Sequence, residues 1–383
     1  MNDERPELMG RASLLSHPSL TELSFVKEAT AEQQILSSRK RFAVLDGLRG
    51  VAALVVVLYH SFDSGGIVPN GELAVDLFFI LSGFVITYSW DDRLVSPTSK
   101  GQFVLSRLIR LYPMLFIGAL GGIVFGVIHN FTNPSQAYSY PAGAISAVLS
   151  LLVLPYLQPN SLNNFVFTFS PPIWSLFFEV VANGAYVLFV RFLSIRVLTA
   201  LLVIGMIGVV SLGDLGGDQK TNFVAGFPRV IAGFFGGVLL FKLWRSGQLP
   251  IMRANIFISS AIILTIFVFS IKIRGWLYIP AFGLLMVAVI NGINSRPART
   301  DGWCEFLGLV SYPVYLVHPM TLYMIMFIGH KITLSDSLFD VFLVGHLIAI
   351  LFVGYIFARY YETPARLFLK RTLNRKKLDH VVS

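Results

Sequence analysis

The chain has 383 residues, 55% of them hydrophobic and 13% charged, with a mean hydropathy of +0.70. That is more apolar surface than a soluble core of this length can bury, so a soluble globular protein is excluded and one membrane domain is expected. The net charge of +9 would suggest nucleic acid in a soluble protein, but here Lys and Arg fall in short connections between apolar runs, which signals topology, and no nucleic-acid partner is expected.

Residues 1–41 are polar, lack the apolar core of a signal peptide and read as a cytoplasmic tail. The run starting at Phe42 reads as an uncleaved anchor, with Arg39, Lys40 and Arg41 holding the N-terminus in the cytoplasm. Ten apolar runs of bilayer length follow, near 43–60, 73–90, 111–128, 173–190, 197–213, 223–241, 254–271, 276–292, 304–328 and 338–358. The membrane domain spans 42–370, and 371–383 forms a basic tail, so the fold class is an all-α polytopic membrane protein in a cell inner membrane. The run near 143–158 is short and broken by Pro155. If it does not cross, one face receives 24 Lys and Arg and the other 4; if it does, the split is 14 to 14. The positive-inside rule selects the first arrangement, with 143–158 re-entrant or interfacial and both termini cytoplasmic.

Ionisable side chains at membrane depth are costly and are functional candidates. Arg49 and His60 are eleven residues apart, so they share one face of the first helix about 16 Å apart along its axis. Asp76, in the next helix, is expected at the depth of His60, where a carboxylate would orient the imidazole and stabilise its charged form. Glu179 and Arg229 are expected near the same depth, with Glu179 either supporting catalysis or pairing with Arg229. Arg107 and Arg110, three apart at the inner mouth of the third helix, read as a phosphate grip or a topology anchor. His318 sits mid-membrane with a structural or acceptor-site role, His346 is expected to be structural, and Asp340 lies near a span end. Asp46 is expected at the inner interface. Cys304, the one cysteine, reads as a small buried apolar residue. No His, Cys or carboxylate cluster has ligand spacing, so no metal is expected.

Leu45-Asp-Gly-Leu-Arg49-Gly-Val-Ala-Ala with His60, Val75-Asp-Leu-Phe-Phe-Ile-Leu-Ser-Gly-Phe84, the Arg107–Arg110 pair, Pro172-Ile-Trp174-Ser-Leu-Phe-Phe-Glu179, Arg229 before the Gly-rich 233–237, and Ser311-Tyr-Pro-Val-Tyr315-Leu-Val-His318-Pro319 occur in this order. The ordered set, covering residues 42–370, resembles the membrane-bound acyltransferase family 3 of bacterial O-antigen, exopolysaccharide and Nod-factor acetylases. The resemblance implies ten helices, a cytoplasmic acyl-CoA donor, acetyl-CoA being the expected one, and an extracytoplasmic carbohydrate or glycolipid acceptor. It also implies that Arg49 and His60 are the functional pair and that Arg107 and Arg110 handle the donor with Arg49. Trp174, Arg229, Tyr315 and His318 then become acceptor-side candidates, and His60, Arg49, Asp76 and Glu179 catalytic ones. His60 acts as general base toward the sugar hydroxyl or forms an acyl-histidine. Some family members carry a further esterase-like domain after the membrane part, for which this sequence leaves no room. The competing classes are a transporter or flippase, against which the lack of a visible internal repeat weighs, and a catalytically silent sensor.

Overall fold

The computed structural model describes residues 42–61, 66–96, 98–132, 139–158, 163–250, 256–295, 300–332 and 336–382; the polar tail expected over 1–41 lies outside them. Among the described residues the structure is helical, with one isolated backbone bridge, between Phe165 and Gln219. The helices are α1 (Ala43–Ser61), α2 (Ala74–Trp90), α3 (Thr98–Thr132), α4 (Tyr140–Leu151), α5 (Ile173–Phe189), α6 (Ile195–Leu212), α7 (Gly226–Arg245), α8 (Ile256–Val268), α9 (Tyr278–Asn294), α10 (Asp301–Ile332), α11 (Asp336–Ile356) and α12 (Thr363–Val382), with a π-helical turn, Phe357–Glu362, between the last two. Nine of the described helical segments are long and apolar enough to cross a bilayer, and α4 and α8 are shorter apolar helices.

Contacts along α1 fix which ends lie together. At one end Gly47 faces Cys304 of α10 and Ile256 of α8, and Gly292 of α9 faces Leu45. Asp91 after α2 meets Lys242 and Arg245 of α7 there. At the other end His60 meets His318, and Asn70 meets the residues after α8. The seventh expected span therefore traverses the bundle even though its helix has 13 residues, about 20 Å at 1.5 Å per residue. Its last carbonyls would be unpaired at membrane depth, a cost of several kcal/mol each in lipid. Asn70 offsets it: its backbone N–H donates to Phe267 O in the last turn at 3.2 Å, and beyond the helix its side-chain amide donates to Phe269 O at 2.8 Å and Ile271 O at 3.0 Å while its Oδ1 accepts from Ile273 N at 2.7 Å.

The chain that carries α4 leaves and re-enters at one end. Gly122 and Gly126 near the end of α3 and Gly143 in α4 all face Phe169, just before α5 begins. Twelve residues extend about 18 Å, short of a bilayer core, so α4 packs on the last turns of α3 and the bundle returns to the same side. Among the described residues ten helices thus traverse the bundle, and residues 42 and 363 lie at the same end, the Asp91 end.

Without a hydrophobic drive between helices in lipid, close backbone approach supplies the packing. A close seam joins α2 and α7, where Gly83 lies against the carbonyl of Phe234 and Gly237 against that of Ile80. A methyl group at either position would overlap backbone, which cannot swing away. Gly83→Ala is expected to cost at least the 1–3 kcal/mol typical of overpacking, about that order, and so to lower the thermal midpoint of the purified protein in detergent. Gly184→Ala, which meets nothing within 4 Å, serves as control, and equal midpoints for the two variants would contradict this packing.

Candidate functional site

At the Asp91 half of the bundle a cavity of about 370 Å³ lies between α1, α2, α3, α5 and α10, lined by Asp46, Arg49, Arg107, Arg110, Glu179 and Ser311 among others. Arg49 is held from α10: its Nε donates to Ser311 Oγ at 3.0 Å and its Nη2 to Gly308 O at 2.9 Å. The same nitrogen pairs with Asp46 one turn back at 3.0 Å, so Asp46 belongs to the cavity and not only to the inner interface where the sequence placed it. Arg107 pairs with Glu179 at 2.9 Å, and Ser82 Oγ donates to the same carboxylate oxygen at 2.6 Å. Arg110, three residues on, lines the cavity beside Tyr312, whose hydroxyl donates to Leu111 O at 2.7 Å. Arg49, Arg107 and Arg110 therefore converge, as the sequence anticipated.

Glu179 is not where depth-counting put it. It lies six residues into α5 and joins Ser82 and Arg107, well below Asp76, which lies two residues into α2. Arg229, its partner in one of the two readings of the sequence, is bonded elsewhere.

Arg229 is fully buried. Nε donates to Asp76 Oδ1 at 3.2 Å and Nη2 to Asp76 Oδ2 at 2.8 Å, a bidentate pair. Nη2 also donates to Glu72 O at 2.9 Å, and Nη1 donates to Gly216 O at 3.1 Å and to Leu215 O. Tyr278 OH donates to Asp76 Oδ1 at 2.9 Å, and the Trp174 ring covers the guanidinium at 5.3 Å. All five N–H groups of Arg229 are thereby engaged, leaving none for an acceptor. Asp76, expected against His60, is instead wholly committed to Arg229 and Tyr278. These bonds tie α2, α7, α9 and the 214–222 connection into one knot.

His60, the last residue but one of α1, is exposed. Its Nδ1 lies 2.8 Å from Val56 O; only a protonated Nδ1 can bond a carbonyl, so in the neutral ring Nε2 carries the free lone pair. His318 stands 5.2 Å away, centroid to centroid, buried, with Nδ1 at 2.7 Å from Tyr315 O. That carbonyl is available because the residue four positions on is Pro319, inside α10, which has no N–H to donate to it. Beyond His318, His346 Nε2 lies 2.8 Å from Thr321 Oγ1, a structural bond as expected; the side chain of Asp340 lies outside the described residues. Cys304 is buried against Gly47.

Tyr315 separates the cavity from the two imidazoles. Its ring meets Phe78 at 5.4 Å and His318 at 6.0 Å, and its hydroxyl and Ser175 Oγ share a 2.7 Å hydrogen bond. On the His60 side the sequence offered no warning of Asp218. The 214–222 connection is folded by Asn222, whose Oδ1 accepts from Gly217 N and Gln219 N, both at 3.1 Å, and is held down by Arg229. This brings the Asp218 carboxyl within electrostatic range of Arg229 and His60, while burial pushes it above the usual carboxylate range. Loop aspartates read as solvated, and only the anchoring by Arg229 marks this one out. Among the described residues no group of three or more His, Cys, Asp or Glu is placed to hold a metal ion.

A bundle with guanidiniums around a cavity at one end and a basic imidazole nitrogen at the other has the layout of a membrane-embedded group-transfer enzyme. The family model described as an acyltransferase domain, Acyl_transf_3, matches residues 42–359, and the chain belongs to that family. It is 38% identical over 166 residues to "Protein 2 in picA locus" of Rhizobium radiobacter, covering 39% of this chain and 83% of that protein. It is 25% identical to "Exopolysaccharide production protein ExoZ" of Rhizobium meliloti, over 77% of this chain and 91% of that one. It is 24% identical to "Peptidoglycan O-acetyltransferase OatA" of Listeria monocytogenes, over 73% of this chain; the match spans about half, 49%, of that relative's length. No solved structure matches the fold.

Breaking a buried ion pair by removing one partner typically costs about 3–5 kcal/mol. Asp76→Asn is therefore expected to lose folded protein on extraction and to lower the thermal midpoint sharply. Wild-type thermal stability with lost activity would instead give Asp76 a direct part in the chemistry.

Proposed function

We propose that the protein takes an acyl group, in the simplest case acetyl, from acyl-CoA entering at the arginine-lined end and passes it to a hydroxyl of a carbohydrate or glycolipid at the His60 end. The observation that carries this reading is the free Nε2 of His60, fixed by the Nδ1 bond to Val56 O and separated from the cavity by the Tyr315 partition. Arg49, Arg107 and Arg110 supply the charge that nucleotide phosphates require, and the bias of Lys and Arg supports a cytoplasmic position for that end, with a cell inner membrane as the proposed location. The relatives named for O-acetylation of peptidoglycan and for exopolysaccharide production support an extracytoplasmic glycan as acceptor.

The pantetheine arm runs from the arginines past Arg49, and the thioester reaches the partition. A sugar hydroxyl then attacks the thioester carbonyl carbon while His60 Nε2 removes its proton. The tetrahedral oxyanion collapses, the C–S bond breaks, and the CoA thiolate leaves toward the donor side; the imidazolium returns its proton to that thiolate or to water. Hydroxyls of Ser175 and Tyr315, within the partition and bonded at rest to each other and to Pro172 O, turn one of those bonds toward the oxyanion, and Asp218 stabilises the imidazolium electrostatically. Glu179 holds Arg107 in the cavity, and Trp174 and His318 border the acceptor side.

General-base assistance is worth roughly 10²–10⁴ in rate, so His60→Ala is expected to abolish the acyl mass increment on surface polysaccharide or glycolipid, read by mass spectrometry, while the protein still inserts at wild-type level. A full increment in that variant would sink the mechanism. An increment with the intact chain would also name the acyl group.

A further inference from the structure

Behind the arginines that line the cavity stands a cation that neither the sequence motifs nor the family match contains. Helix α11 ends in the π-helical turn Phe357–Glu362, a wider turn than the α-helix and one that recurs at functional positions. It starts α12 at the cavity end of the bundle. In the first turn of α12, Arg366 pairs with Glu362 of the π turn and is 20% exposed. Helix α12 packs on α3, the helix of Arg107 and Arg110, and this sets Arg366 within electrostatic range of Arg110, Arg49, Arg107 and Tyr312, next to the residues that line the cavity though not itself among them.

Four guanidiniums there meet three carboxylates, Asp46, Glu179 and Glu362. Among the described residues Arg110 has neither a hydrogen bond nor an ion pair, and the Nε groups of both Arg107 and Arg366 are buried with no acceptor. Gathering like charges at membrane depth and leaving their donors unmet is costly on both counts. Both costs vanish when an anion with several acceptor oxygens enters, because guanidiniums grip phosphate with paired, charge-assisted bonds. A surface topology anchor would need no such convergence and would keep its donors wet.

We infer that Arg366, beyond the end of the matched acyltransferase domain, is a fourth donor-site cation that contacts the phosphates of acyl-CoA, delivered by the π turn. This rests on the acyl-CoA reading above and adds to it the segment after the domain. Arg366 takes no part in bond making. Its contribution is to donor affinity, with Glu362 holding it in place in the resting state.

The test is calorimetric binding of CoA and of pantetheine, which lacks the nucleotide phosphates, to the full chain in detergent, as wild type, Arg366→Gln and Arg366→Lys, with thermal midpoints measured alongside. CoA is expected to bind Arg366→Gln about tenfold more weakly, as the loss of one charge-assisted contact implies, with Arg366→Lys in between and pantetheine binding the same in all three. In turnover the same loss is expected in KM for acetyl-CoA, with kcat within about twofold of wild type and KM for acetyl-pantetheine unchanged. Equal CoA binding by wild type and Arg366→Gln, or a loss shared by pantetheine, would overturn the inference; if Arg366→Gln does not fold, Arg366→Lys binding CoA as wild type does would overturn it equally. CoA binding that depends on Arg366 in a chain that transfers no acyl group would support this site and count against the proposed reaction alone.

Discussion

The bidentate pair between Arg229 and Asp76 is the constraint on which the His60 end depends. At membrane depth neither ion is tolerable alone, and the two neutralise each other inside a shell that uses every guanidinium N–H. A lysine could not do this, since only a planar fork reaches a carboxylate with two bonds and three carbonyls at once. Because those carbonyls belong to Glu72, Leu215 and Gly216, the pair fixes the turn into α2 and the connection between α6 and α7. Asn222 and the bridge from Phe165 to Gln219 then give that connection its shape. The position of Asp218 near His60 is a consequence.

Helix α10 carries the relation between the two ends. Its Gly308 and Ser311 hold Arg49, its Tyr315 forms the partition, and its His318 lies beside His60. The two prolines inside it, Pro313 and Pro319, are tolerated in a bundle that can satisfy the freed backbone groups from neighbouring side chains. At Pro319 that freedom is put to use, since the carbonyl it leaves unpaired orients the His318 ring. Charge is thus concentrated where a phosphorylated donor would enter, and two imidazoles stand where a sugar hydroxyl would arrive.

The spans were legible because lipid demands long apolar runs, and charge bias located the one run that does not cross. The length of α8 was not legible, because hydropathy registers apolar residues whether or not they are helical, and the help it receives from Asn70 is a tertiary contact. That Arg49, Arg107 and Arg110 share one end of the bundle followed from helix direction, and only the resemblance joined them in one site. Pairing across helices did not, since depth says nothing about which way a side chain faces. Asp76 and His60 share an end of the bundle, yet Asp76 points toward α7 and α9; Glu179 points toward α3. Arg366 was hidden among basic residues that topology already explained, and Asp218 in a connection whose fold only Arg229 dictates.

The central claim is that donor and acceptor meet the protein from opposite faces. Membrane vesicles of known orientation, carrying the full chain and a glycan acceptor on both sides, can be given radiolabelled acetyl-CoA outside only. The account predicts labelled glycan when the outward face is the one bearing Arg107 and Arg110, with the label on the glycan of the opposite, His60 face. Label transferred equally well from acetyl-CoA supplied at the His60 face, or found on glycan at the arginine face, would contradict it.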